Sequence, residues 1–278
     1  MTVTYGTTLP QREFKNEVES IKEFVLGVES LGLSYLRVAD QVIVTKRGGF
    51  HEPLMLLSYL AAITQRLQMV PSVLVAPSRQ TALLAKQSVE LNALSRGRLR
   101  LGLGLGGNER EYQAMGKSLN RRAYRLEEQI KLLRELWSRD RINFSLEEER
   151  FEEVGISPRP KGGAIPIWIG VSPAPPVLAL ERIGRLADGW FTMCGVDQFE
   201  SQNKVVLESA EHSGRAASKI GVEAEVSVVD GLPDNFIALV NRWVDLGVSH
   251  ISLSTLGLEG DSSSHLKQLA NALELLEK

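Results

Sequence analysis

Segments of strand and helix character alternate eight times along this chain, and that count limits its fold more than any other feature. Short β-branched runs and apolar residues two apart mark strands at 3–9, 34–38, 67–76, 98–106, 165–170, 188–193, 221–229 and 250–255. Apolar residues at helical spacing follow each of them, at 13–31, 54–66, 79–94, 121–137, 174–184, 198–213, 235–246 and 264–276. The punctuation agrees, since Gly32 ends the first helix and Pro53 suits the first position of the second. Eight strand–helix pairs in 278 residues fit a (β/α)8 TIM barrel. A doubly wound sheet also alternates, and only the count separates the two. No linker divides the chain, so 1–278 is expected to be a single barrel domain. Its one irregular excursion is charged and spans about 139–163, where 142–144 and 150–151 can pair as a short hairpin.

The fourth strand is unusual. Arg98-Leu99-Arg100-Leu101-Gly102-Leu103-Gly104-Leu105-Gly106 puts leucines on one face and arginines, then glycines, on the other. Glycine is a poor strand former, so three on one face imply a close approach to the backbone there. Gly102-x-Gly104-x-x-Gly107 also has the spacing of a dinucleotide fingerprint. That motif needs an acidic residue ending the next strand about 20 residues on. Glu127 and Glu128 stand at that distance but inside a helical pattern, which argues against it.

Composition removes several classes of function. Net charge is −2 with no basic block, so nucleic acid is not an expected partner. The single cysteine, Cys194, excludes an internal disulfide, and four scattered histidines lack metal-ligand spacing. No basic leader with an apolar core and no run of membrane-spanning length is present, so a cytoplasmic protein with no membrane partner is expected.

In a (β/α)8 barrel the chemistry sits at the C-terminal strand ends. That rule nominates Asp40 and Gln41, 72–76, 106–109, 170–172, Cys194, Asp230 and Thr255. No Ser-His-Asp set, metal cluster or strand-end lysine stands out among them. Such a mouth suits a cofactor that brings its own chemistry. The turn Gly170-Val171-Ser172-Pro173 opens a helix, and its amides can hold a phosphate.

These residues carry a resemblance. VAD (38–40), FHEP (50–53), RQT-x-L-x-AKQ (79–87), LS-x-GRLRLG-x-G-x-G (94–106), R-x-x-R-x-EEQ (122–129), IPIWIG (165–170) and DGWF (188–191) resemble the bacterial-luciferase-like family of barrel oxidoreductases, in particular its deazaflavin-associated branch. The resemblance implies FMN or, slightly preferred, a deazaflavin coenzyme lying over the barrel mouth. It also implies a small organic substrate, a homodimer through outer helices such as 54–66 and 79–94, and hydride transfer or oxygen activation. By the same likeness a non-prolyl cis peptide is expected at Ser72-Val73. Cofactor contacts are expected from Ser72, Val73, Gly106, Gly107, Asn108, Gly170, Val171 and Ser172.

Two positions depart from the family pattern. Gln41 follows Asp40 where the family usually has histidine, and glutamine cannot shuttle a proton. Gly107 stands where the branch usually has tryptophan, which implies a wider pocket. Asp40, Gln41 and His51 are the candidate catalytic residues; His51 would supply the missing titratable group, or else merely fix the loop before Pro53. These departures keep open a second reading, a degenerate flavin-binding barrel without turnover. A third, a cofactor-free lyase or isomerase, would need acids or lysines at several strand ends.

Blander roles are expected elsewhere. Arg79 should pair at a helix start, and Arg125 should form a weak surface pair with Glu128. Arg122 should lie on a solvated face, His212 and His265 should be exposed, and Cys194, Trp168 and Trp190 should pack. Glu109 is a helix cap or a pocket acid.

Overall fold

The computed structural model describes residues 3–44, 49–147, 149–229, 232 and 235–277. The first half runs β1 (Thr4–Thr8), α1 (Val18–Ser30), β2 (Tyr35–Val38), α2 (Pro53–Ile63), β3 (Gln68–Pro71), β4 (Leu74–Val75), α3 (Thr81–Leu94), β5 (Leu101–Gly104), α4 (Glu109–Ala114) and α5 (Arg122–Ser138). A hairpin follows, β6 (Ile142–Leu146) and β7 (Glu149–Val154). The rest is β8 (Ile167–Gly170), α6 (Val177–Leu186), β9 (Gly189–Phe191), α7 (Val196–His212), β10 (Gly221–Ser227), α8 (Phe236–Asp245), β11 (His250–Ser254) and α9 (Ser262–Leu276).

Nine strands form one parallel sheet in the order β3-β2-β1-β11-β10-β9-β8-β5-β4. β3 and β4 are halves of one barrel strand, so the ring has eight staves, as the alternation predicts. It closes where the Met69 amide donates to the Arg98 carbonyl (2.7 Å) and the Arg100 amide to the Met69 carbonyl (3.1 Å). Arg98 fastens this seam from outside, its guanidinium reaching the carbonyls of Ala61, Thr64 and Leu67. Two of those carbonyls belong to the C-terminal end of α2, where a cation is favoured.

Each stave turns alternate residues to the helices and to the barrel axis. On β10, Val222, Ala224 and Val226 join the large core between sheet and helices, and Glu223 and Glu225 point inward. On β5 the leucines face the helices, so Arg100, Gly102 and Gly104 face in. The barrel interior is a small aromatic cluster of Tyr35, Val70, Trp168 and Phe191. Arg100 lies buried among them, 4.2 Å from the Trp168 ring and 4.6 Å from that of Tyr35. Glu223, also buried, neutralises it at 2.7 Å. Trp190 faces the other way and stacks on Phe199.

Several sequence expectations shift. The first helix begins at Val18, because residues 11–16 form a turn with Lys15 and Asn16 in left-handed conformation. The third strand is interrupted after Pro71; the Ser72–Val73 bond there is cis, as the resemblance implied. The helix after β8 begins at Val177, held back by Pro175 and Pro176. Arg125 is not a surface residue: it is buried, donates to the Pro77 carbonyl (3.1 Å) and pairs with Glu147 beside the hairpin. Its expected partner Glu128 bonds Lys131 instead. His265 is fully buried, between Phe14, Phe24 and the Thr255 hydroxyl, whereas His212 is exposed as expected. The outer helices α2 and α3 expose Met55, Tyr59, Leu83 and Leu94. Among the described residues no helix is long and apolar enough to cross a membrane.

Candidate active site

A cleft of about 800 Å3 opens at the C-terminal ends of the strands. Its base is the Ser72–Val73 peptide between β3 and β4, with Gly104, Gly170, Ile169 and Phe191 from neighbouring staves. The glycines here make room for the protein itself. A Cβ on Gly104 would lie 2.4 Å from a Val73 methyl, and one on Gly170 would lie 2.7 Å from the other. Val171, Pro175, Pro176, Leu178 and Met193 give it an apolar lining, and Leu119, Arg121, Arg122, Ala123 and Leu126, at and just before the start of α5, complete the wall.

Six of the predicted site residues line this cleft: Ser72, Val73, Gly106, Gly170, Val171 and Ser172. Five do not. Asp40 anchors β4, its carboxylate accepting from the Val75 amide (2.9 Å) and from Arg79 (2.9 Å). Arg79 also binds Glu52, the residue that caps α2, so its salt-bridge reading holds. Gln41 accepts from Arg12 at 3.3 Å. His51 links two loops, its ring nitrogen on the Asn16 carbonyl (2.9 Å) and its amide on the Gln11 side chain (3.1 Å). Gly107 and Asn108 lie outside the lining; Asn108 caps α4, and Gly107 has open space around it. Glu109 sits in the first turn of α4. Cys194 is buried against the Thr192 hydroxyl, and Asp230 lies outside the described residues.

Sequence reasoning missed the feature that dominates the site electrostatically. Arg37, Arg121, Arg122 and Arg182 line the cleft, and among the described residues no Asp, Glu, Lys or His joins them. Arg37 comes from β2 inside the barrel, where it meets Glu223 (3.3 Å) and Glu225 (2.8 Å) and donates to the Ser72 hydroxyl (3.0 Å). Arg182 of α6 is matched by Glu127 at 2.9 Å. Arg122, expected on a solvated face, is half-buried in the wall. The alternation of β10 hinted at Glu223 and Glu225, but nothing along the chain brings four arginines together.

Such a site holds better than it reacts. Its lining offers no nucleophile–base pair, and among the described residues no three His, Cys, Asp or Glu could share a metal ion. It offers a dry shelf, an apolar wall and cationic groups. Val171 and Ser172, in the loop after β8, bring backbone amides to the lining. A flat ring with an anionic side chain fits these residues.

Residues 2–231 match the family model described as luciferase-like monooxygenase. The chain belongs to the luciferase-like monooxygenase family. The motif resemblance is thereby supported, and oxidoreduction is the class of chemistry. Among luciferase-like relatives, the F420-dependent glucose-6-phosphate dehydrogenase of Mycolicibacterium fortuitum is 31% identical over 240 residues, 82% of this chain and 70% of that protein. The monooxygenase RslO1 from Streptomyces bottropensis superposes with a TM-score of 0.83 at 17% identity, over 99% of this chain and 100% of the other. An F420-dependent secondary alcohol dehydrogenase, solved with an F420–acetone adduct, gives 0.83 at 14% identity, over 98% of each chain. These two structures establish the shared barrel.

Proposed function

We propose that this luciferase-like protein is a deazaflavin-dependent oxidoreductase that passes a hydride to or from a small organic substrate. The observation that carries the reading is the cleft whose charged lining is entirely arginine, above an apolar shelf. The dehydrogenase relative named for F420 supports the same choice over FMN. The coenzyme supplies the hydride chemistry, and the protein's share is placement. Val73, with Gly104 and Gly170 cut back beneath it, forms a shelf for the ring. The Val171 and Ser172 amides are the donors for the phosphate. Arg37 holds the Ser72 hydroxyl, and Leu178, Phe191 and Met193 exclude water. Asp40 acts by fixing β4, as a positioning residue.

One observation favours a second reading, a barrel that binds the coenzyme without turnover. With Gln41 and His51 outside the lining, the described residues bring no carboxylate or imidazole into the cleft to move a proton. Titrating the purified protein with FMN and with F420 side by side, by absorbance and fluorescence, tests the proposal. F420 is expected to bind at least about tenfold more tightly. Binding of neither sinks both readings, and tighter FMN binding removes the deazaflavin preference. Reduction of bound F420 by a panel of alcohols and sugar phosphates then separates an enzyme from a carrier.

A further inference from the structure

We propose that Arg121 and Arg122 form a subsite for the carboxylates that a deazaflavin coenzyme carries beyond its phosphate. This rests on the deazaflavin reading and deepens it. Of the four arginines in the cleft, Arg37 and Arg182 already face carboxylates of the protein. Among the described residues, Arg121 and Arg122 face none. The Arg121 guanidinium lies 4.7 Å over the Tyr124 ring, and among the described residues the Arg122 guanidinium makes one hydrogen bond, to the Leu119 carbonyl at 3.3 Å. The Arg122 Nε is buried without any acceptor. Two adjacent cations in the wall of a cleft that has no acidic side chain attract an anion, and a guanidinium fork matches a carboxylate.

The two cofactor candidates differ in the group these arginines would meet. FMN ends at its phosphate; in F420 the phosphate is followed by glutamates. The β8 loop offers Val171 and Ser172 to the phosphate, and Arg121 and Arg122 line the same cleft. Arg121 is also exposed, so an extended tail can pass it and leave into solvent. The arginine pair therefore separates a tail with several carboxylates from one that stops at a phosphate.

The test compares wild type with the Arg121→Gln/Arg122→Gln double variant and with Arg122→Lys. The probes are F420, a deazaflavin lacking phosphate and glutamates, and FMN, titrated by fluorescence at low and high salt, with circular dichroism confirming the fold. The double variant is expected to lose roughly 10- to 100-fold in F420 affinity and little for the tail-less deazaflavin or FMN. Wild-type affinity for F420 should fall with added salt, and Arg122→Lys should keep most of it. Unchanged F420 binding in the double variant overturns the proposal, as does an equal loss for all three probes, which would mark a structural role. If wild type binds no probe, the deazaflavin reading itself has failed, which is a separate outcome.

Discussion

Gly102 and Gly107 lie five residues apart in one glycine-rich run and have opposite surroundings. A Cβ on Gly102 would lie 2.1 Å from the Pro71 carbonyl oxygen and 2.9 Å from the Phe191 ring; one on Gly107 would meet nothing within 4 Å. Backbone cannot step aside as a flexible side chain can. Gly102→Ala is therefore expected to cost about 3 kcal/mol, and Gly107→Ala no more than about 0.5 kcal/mol, in urea unfolding. Equal costs would show that the crowding at Gly102 is relieved by movement. The period-two pattern identified which residues share a face. It could not say which face looks inward, because both faces of a barrel strand are covered. The same limit hid the arginines. Arg122 has Arg125 and Leu126 three and four positions on, neither of them an acidic partner, and sequence reveals only such local partners. The cleft it lines is assembled from β2, β5, β8 and α6 as well. His265 was misplaced because Thr255 and Phe14 bury it from opposite ends of the chain.

Elements were far more legible than contacts. Strand and helix periodicity is local, so all eight staves and the β6–β7 hairpin were readable, with ends shifted by a few residues. The shifts have separate causes. Pro175 and Pro176 each disfavour helical backbone in the residue before them, which postpones α6 to Val177. The run 67–76 carries apolar residues on both sides of Pro71, yet the chain breaks it at Ser72–Val73 to form the base of the cleft. Pro71 was the visible sign of that break. The charged excursion after α5 gave no hint that Glu147 reaches back to Arg125.

For the molecule as a whole, the barrel interior makes stability depend on pH. His250 begins β11 and lies edge-on to Trp168, with Tyr35 and the buried Arg100–Glu223 pair as neighbours. Burial, and then the Arg100 charge, lower its pKa from 6.5 to about 3. Between those values the unfolded chain takes up the proton and the folded one does not. Stability present above pH 6.5 is thus lost as pH falls towards 3, at up to about 1.4 kcal/mol per unit. Melting from pH 7 to pH 4 should show a steeper fall for wild type than for His250→Gln, by roughly 2–4 °C per kcal/mol. Parallel curves would remove His250 as the cause.

The ring is also uneven around its circumference. β1 and β11 share four paired positions in one unbroken run, whereas the join is interrupted: β3 meets the residues before β5 at one, Met69 with Leu99, fastened outside by Arg98, and β4 meets β5 at two. A hoop gives way first at its join, and this join lies directly below the shelf of the cleft. Deuterium uptake measured amide by amide should therefore find Met69 and Arg100 exchanging sooner than Ile251. Arg98→Ala should widen that gap, and uniform uptake around the barrel would contradict it. Substrate and solvent would then reach the shelf from a wall that breathes, while the opposite side of the barrel stays shut.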